Sequence, residues 1–157
     1  MRELDLPRSQ LIPIREALRT AFLHFRKELF PRSPELDTLR VRPCEPNGVS
    51  NGQCGQQSID LCMKRILSDE KAVMATLVHE MVHAWRGRTL AFHDDIWADE
   101  MERVGLMPTD TGNAGGSRTG LHVSHFVIDG GPFERAFQDF DGRIDWASLL
   151  EGWCPSL

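Results

Sequence analysis

Two histidines and a glutamate, His79, Glu80 and His83, form the segment of the chain best suited to chemistry, in the pattern H-E-x-x-H. Histidines four residues apart lie one turn apart on the same face of a helix, close enough to bind one small ion. Neutral imidazole is a good zinc ligand, and a glutamate directly after the first ligand can deprotonate a water held there. The spacing therefore predicts a catalytic zinc site with Glu80 as general base.

The residues around this motif indicate a buried helix. Between Leu77 and Trp85 every residue other than His79, Glu80 and His83 is apolar. Polar groups are costly to bury unless something satisfies them. A bound metal ion would do so, and the apolar surroundings therefore favour a real site over a chance match.

A catalytic zinc usually has three protein ligands and one position open for water, so a third ligand is needed. The metzincin pattern would place a histidine six residues after the second one, whereas His93 follows His83 by ten. A short turn and a second helix could still return His93 to the ion. The alternatives are four carboxylates in or before that helix: Asp94, Asp95, Asp99 and Glu100.

A side chain that stabilises the oxyanion of a hydrolytic reaction would have to be histidine or arginine, because the chain contains no tyrosine. His125 and Arg118 are the candidates. His122 and His125 are three residues apart on a predicted strand, so we expect them to face opposite sides and not the same site.

The hydrophobic pattern predicts helices and a few short strands in an α+β arrangement. The predicted helices cover residues 14–30, 68–86, 93–105 and 133–140. Ser68 is the expected N-cap of the second helix and Gly87 its C-cap, and Gly105 is expected to end the third. Strands are expected at 38–42, 57–66 and 122–128, with a loop at 43–55 and a Gly/Ser/Thr-rich loop at 109–120. We expect one domain over residues 1–157, with its core at about 10–140.

Composition and charge narrow the class of protein. The chain has 157 residues, 26% of them charged, and a formal net charge of -5, which gives no support to binding of nucleic acid. No apolar run approaches the roughly 18 residues that span a membrane, and the N-terminus lacks the apolar core of a signal peptide. A cytoplasmic location is therefore expected, with no membrane partner.

The four cysteines contain no C-x-x-C pair, so a zinc ribbon is not indicated. In a cytoplasmic protein they are expected to be reduced. Cys62 lies in an apolar run and is expected in the core, whereas Cys44 and Cys54 border a Gly/Asn-rich loop and are expected to be exposed thiols.

The segment from His79 to Trp85, followed by His93 to Trp97 and Met101, resembles the SprT-like zinc metalloproteases. That family shows H-E-[LM]-x-H-A and then a downstream histidine that opens a segment like H-G-x-x-[FW]-x-x-x-M. The further residues up to about 135 are similar to a bacterial and mobile-element subgroup. The residue after the third histidine differs, because Asp94 stands where the family has glycine.

The resemblance implies that His79, His83 and His93 bind Zn²⁺ and that Glu80 is the general base. It also implies a minigluzincin-like fold, with an N-terminal helix, a small antiparallel sheet and a two-helix metal core. Family members of the Spartan type degrade proteins crosslinked to DNA, so the resemblance implies DNA association, which the charge of this chain does not support.

The expected function is that of a zinc-dependent endopeptidase acting on protein or peptide substrates. Two alternatives remain open at the level of sequence. A non-catalytic, metal-stabilised binding module would have a fourth protein ligand closing the coordination shell. A zinc amidase acting on small peptides would have a closed pocket in place of a long groove.

Overall fold

The computed structural model describes residues 1–87 and 93–153 and gives them a mixed α+β fold. In these residues there are five α-helices, one three-stranded sheet and one two-stranded sheet. The α+β prediction is therefore confirmed, while the minigluzincin-like fold stays a prediction. The turn expected between the two helices of the metal motif, and Cys154, lie outside the described residues.

The first and last elements of the described residues are helices, and two further helices separate the first three strands from the last two. The helices are α1 (Arg8–Leu29), α2 (Glu70–Arg86), α3 (Asp95–Val104), α4 (Pro132–Phe140) and α5 (Trp146–Leu149), with a short 3-10 helix at Pro34–Leu36. The strands are β1 (Arg40–Cys44), β2 (Gly52–Cys54), β3 (Ser58–Cys62), β4 (Leu106–Thr109) and β5 (Ser124–Val127).

Helix α1 begins six residues before its predicted start. Leu11 lies three residues before Ile14 and is buried on the same face, so the apolar stripe continues toward the N-terminus. Pro13 lies inside the helix and lacks the N–H that would bond to the preceding turn. The predicted end is correct to within one residue, because Pro31 follows the C-cap.

The three-stranded sheet is mixed, which corrects the predicted antiparallel sheet. Strand β1 runs parallel to β3, and β2 pairs antiparallel with the other side of β3. Pro43 and Cys44 continue β1 instead of starting a loop. Proline is tolerated there because β1 is an edge strand. Cys44 is fully buried, so its prediction as an exposed thiol was wrong, whereas Cys62 is buried as expected.

Helix α2 is the buried centre of the molecule and carries the H-E-x-x-H motif. It packs against β2 and β3 and also contacts α1, α3 and α4. Buried residues occur on all its faces between Val73 and Ala84, as expected of a helix enclosed by neighbours. The helix ends as predicted at Arg86 with Gly87 as C-cap, but Asp69, not Ser68, is its N-cap, because the Asp69 carboxylate accepts the Ala72 N–H.

The second sheet follows α3 directly. Gly105 closes α3 in a left-handed conformation, and the next four residues form β4, which pairs antiparallel with β5. Strand β4 was not predicted, since its four residues include Pro108.

Of the helices in the described residues, none has a stretch sufficiently long and hydrophobic to span a bilayer.

Candidate metal centre

Three histidine side chains come together at the junction of α2 and α3. Each of His79, His83 and His93 offers one ring nitrogen, and these three atoms all lie within 4.8 Å of one another. Two come from successive turns of α2, and His93 lies two residues before α3 begins. A set of three imidazole nitrogens at this spacing could hold one metal ion.

The backbone orients the third imidazole of this cluster. The His93 Nδ1 lies 2.9 Å from the Gly120 carbonyl oxygen, and the Gly120 N–H donates to the His93 carbonyl at 3.1 Å. A carbonyl oxygen can only accept, so the His93 Nδ1 carries the proton. The Nε2 of His93 is therefore the atom with a free lone pair for a metal.

His79 has a second histidine as its partner. The Nδ1 atoms of His79 and His125 lie 3.0 Å apart, and the two ring centroids are separated by 5.1 Å. With its Nδ1 used in this hydrogen bond, His79 has Nε2 left for a metal. When Nε2 binds a metal, the proton of the neutral ring is on Nδ1, so that His79 donates to His125, in the position that a carboxylate or carbonyl often takes behind a metal-binding histidine.

The indole ring of Trp97 packs against all three imidazoles of the cluster. Its ring centroid lies 5.1 Å from those of His79 and His83 and 4.4 Å from that of His93. The indole is fully buried, and its Nε1–H has no hydrogen-bond partner among the described residues. Trp97 therefore restricts the orientation of all three imidazoles, a role that its place in an apolar helical pattern does not signal.

The imidazoles of the cluster are held neutral, which is the form that binds a metal. Burial lowers the pKa of His83 to about 4, with a further contribution from His93. Burial also lowers the pKa of His79 and of His93. The chemistry of this donor set therefore fits a cation such as zinc, because no proton has to be displaced at neutral pH.

Glu80 lies beside the cluster and is only 7% exposed. Burial raises its pKa to about 8, and the Cys54 backbone N–H, which donates to the carboxylate, opposes that rise. A nearby cation would favour the charged form and lower this pKa. Glu80 is therefore a buried carboxyl whose protonation is sensitive to its surroundings, as a general base requires.

Gly52 lets strand β2 approach this glutamate closely. A Cβ atom at Gly52 would lie 2.8 Å from Thr76 Cγ2 and 2.9 Å from both Cγ and Oε1 of Glu80. Such distances are too short for any side chain. Because Gly52 has no side chain, β2 can pack directly against the side chain of Glu80.

The cluster opens into a cleft of about 720 Å³. Two separate segments border it, residues 49–54 leading into and forming β2, and residues 121–125 leading into β5. His79, Glu80, His83 and His93 lie between these segments. The cleft therefore gives a substrate access to the histidines and to Glu80 at once.

The carboxylates considered as alternative third ligands have other partners. Asp94 accepts the Trp97 N–H as N-cap of α3 and pairs with Arg86. Asp99 pairs with Arg118, and Glu100 with Arg103. Neither these residues nor the exposed Asp95 belong to the group that could hold a metal ion in the described residues.

The structure separates the two candidates for oxyanion stabilisation. His125 borders the cleft, whereas Arg118 pairs with Asp99 and Glu102 on α3 and is not among the cleft residues. His122 also borders the cleft, so the prediction that His122 and His125 face different sites was wrong. His122 precedes β5, and strand alternation does not apply to it.

Replacement of His125 by Ala is expected to weaken zinc binding about 10- to 100-fold, because the Nδ1–H of His79 loses its acceptor. Replacement by Asn, whose amide oxygen can take a position close to that of Nδ1, should restore much of the affinity. Competition with a chromophoric chelator measures both. The His122→Ala variant is the matched control, and an equal loss there would argue against a specific role of His125.

If the centre holds zinc and cleaves peptides as the sequence predicts, replacement of Gly52 by Ala should lower that cleavage about 100-fold while zinc remains bound, because the added methyl displaces Glu80 and not the histidines. Gly55→Ala is the control, since a Cβ there would lie 3.4 Å from the Ser58 carbonyl oxygen, an ordinary contact. Kinetics and metal content of both variants check this. Loss of zinc in Gly52→Ala would show a wider disturbance of the centre.

Comparison with known proteins adds no assignment. No protein-family model matches this chain. No curated protein matches it significantly in sequence. The similarity to SprT-like proteases therefore rests on the motif residues alone and stays a prediction.

Proposed function

We propose that this chain is a zinc-dependent endopeptidase of the SprT-like type. One observation carries the proposal. The nitrogens of His79, His83 and His93 lie within 4.8 Å of one another in an open cleft, directly beside the buried carboxyl of Glu80. Three neutral donors and one adjacent base are the set that metal-assisted hydrolysis requires.

The number of ligands favours catalysis over a structural role. Within residues 1–87 and 93–153, the metal-binding group contains three side chains and no fourth. Structural zinc is almost always bound by four protein ligands, whereas catalytic zinc keeps one position for water or substrate. This argues against the metal-stabilised binding module, which also gives no reason for a buried Glu80 at the cleft.

In the proposed peptide hydrolysis, Glu80 carries the proton that moves from the attacking water to the leaving amine. The imidazoles of His79, His83 and His93 would hold the zinc, which when bound would supply the acidity of the attacking water and the polarisation of the peptide carbonyl. The Glu80 carboxylate takes a proton from the water as the water oxygen bonds to the carbonyl carbon. The carbon–nitrogen bond then breaks, and Glu80 returns the proton to the leaving amine, so that one water is added across the bond.

The outer edge of β2 supports an extended polypeptide as the substrate. The Asn51 carbonyl and the Gly55 N–H are paired with β3. Because the direction of backbone groups alternates along a strand, those of Gly52 and Cys54 point away from β3. The Cys54 N–H is used by Glu80, and the Gly52 groups remain at the cleft. A substrate strand can add to such an edge.

The open cleft and its lining also bear on the other candidate substrates. A small-peptide amidase would enclose its substrate, whereas this cleft lies between two separate chain segments. Among the described residues that line it there is no Lys or Arg. Nucleic acid is bound mainly through such cations, and we therefore expect cleavage to proceed without DNA.

Removal and return of the metal tests the proposal. The purified chain should cleave an unfolded protein such as reduced, alkylated casein, lose that activity after treatment with 1,10-phenanthroline, and regain it with one equivalent of zinc. Unfolding temperature measured alongside distinguishes loss of catalysis from loss of fold. A chain that binds one zinc and cleaves neither casein nor peptides would contradict the proposal and favour the binding module.

A further inference from the structure

The two most exposed large apolar side chains in the described part of the chain both border the cleft. Val49 is 89% exposed and Leu121 is 69% exposed. The other exposed large apolar residues, none of which borders this cleft, are Ile12, Leu23, Leu67 and Ile96. Single exposed apolar residues are ordinary on protein surfaces. Because the two most exposed of them border the same cleft, we infer that a ligand covers them.

Leu121 is held next to the metal centre. It directly follows Gly120, which exchanges hydrogen bonds with both the backbone and the imidazole of His93. The backbone before Leu121 therefore has a fixed relation to one of the three metal-binding nitrogens. A substrate at the metal would meet this side chain close to the reacting bond.

Val49 is held on the other segment in an ordered turn. The Asn47 carboxamide oxygen accepts the N–H groups of both Val49 and Ser50 at 3.0 Å. Three residues later, Gly52 packs against Glu80. Val49 thus extends from the segment that contacts the general base, whereas Leu121 extends from the segment that contacts His93.

The charges at the cleft limit what can cover these two side chains. The ionisable residues that line it, apart from Cys54, are five histidines, with Glu80 and Asp110 as the acidic groups. The cleft histidines are His79, His83, His93, His122 and His125. An acidic segment or a phosphate group would find no Lys or Arg among these described residues. An uncharged, apolar chain segment fits better.

We propose that the cleft selects extended polypeptide segments with aliphatic side chains on both sides of the cleaved bond, which contact Val49 and Leu121. This inference rests on the proposed peptidase function and adds its substrate class. The outer edge of β2 binds the substrate backbone, which carries no sequence information. The two aliphatic side chains supply the selectivity, since burial of apolar groups depends on what the substrate offers.

The test uses three quenched fluorescent peptides of equal length that differ only beside the central bond, with Leu, Ser or Asp on both sides. The wild-type protein should cleave the Leu peptide with a kcat/KM about tenfold or more above that of the Ser peptide, mainly through KM. Val49→Ser and Leu121→Ser should each reduce this preference. Leu67→Ser is the control, because Leu67 is 58% exposed and lies outside the cleft.

Binding measured separately keeps this test independent of catalysis. The zinc-loaded Glu80→Gln variant should bind the Leu peptide in fluorescence polarisation more tightly than the other two, even if no peptide is cleaved. Equal binding of all three peptides, or an unchanged preference in Val49→Ser and Leu121→Ser, would overturn the inference. Self-association of the wild type that Leu121→Ser abolishes would assign these side chains to a contact between copies and also overturn it.

Discussion

Replacement of Glu80 by Gln is expected to reduce peptide cleavage by about 10²- to 10⁴-fold, the usual contribution of a general base. Gln has nearly the shape of Glu but cannot take the proton of the attacking water. Zinc should remain bound, because the ligand nitrogens belong to the three histidines. Cleavage of an unfolded protein and metal content per chain, measured on the same preparation, check both statements.

The stability of the Glu80→Gln variant is also expected to equal or exceed that of the wild-type apoprotein. Burial raises the pKa of Glu80 to about 8, which means that the charged form is disfavoured at this position. A neutral amide avoids the cost of burying a charge, so the unfolding temperature of the metal-free protein should not fall. A large fall would mean that the buried carboxyl has a structural role.

Glu100→Gln provides the matched control. Glu100 is as buried as Glu80, at 7% exposed, but lies on α3, pairs with Arg103 and does not border the cleft. Its replacement should lower stability and leave kcat near the wild-type value. If Glu80→Gln cleaved as fast as Glu100→Gln, another base would be required, and His125, which contacts His79, would be the first to replace.

Helices α2 and α3 were predictable because the positions of helix ends depend on residues close by in the sequence. Gly87 and Gly105 end α2 and α3 where the sequence placed them, whereas α3 begins two residues after its predicted start, with Asp94 as an N-cap that was not predicted. Cap residues act within one turn, so a single sequence is sufficient to recognise them. The shift of the α2 N-cap from Ser68 to Asp69 shows the usual limit of one residue when two good caps are adjacent.

The sheet could not be predicted because pairing is not a local property. Alternation between residues 57 and 66 indicated a strand, and β3 is found at Ser58–Cys62. Nothing in that alternation specifies that β1 lies parallel on one side and β2 antiparallel on the other. Strand β2 has only three residues, too few to show a period, yet it forms one side of the cleft.

In the candidate metal centre, the sequence identified the side chains but not the groups that orient them. The histidines have an identifiable spacing, whereas the groups that orient them and Glu80 include the Gly120 carbonyl and the Cys54 N–H. Every residue has these backbone groups, so no residue type signals their role. From the sequence, Gly52 could be interpreted only as a loop or turn residue, because its contact with Glu80 depends on the packing of β2 against α2.

Replacement of His93 by Ala is expected to weaken zinc binding by about 10²- to 10³-fold. A zinc site of four ligands is worth about 10–16 kcal/mol, so that one ligand contributes about 2.5–4 kcal/mol. The wild type should contain one zinc per chain after dialysis, and the variant much less. Metal analysis and competition with a chromophoric chelator measure the two quantities.

Two kinds of variant make the result specific to His93. His122→Ala removes another histidine that borders the same cleft but lies outside the metal-binding group, and it should keep its zinc. Asp99→Asn and Glu100→Gln remove the competing carboxylates and should keep it as well. If His93→Ala retained zinc and Asp99→Asn lost it, the Arg118 pair of Asp99 would have to open on metal binding. The coordination would then be two histidines and a carboxylate, and the orientation of His93 by Gly120 would need another explanation.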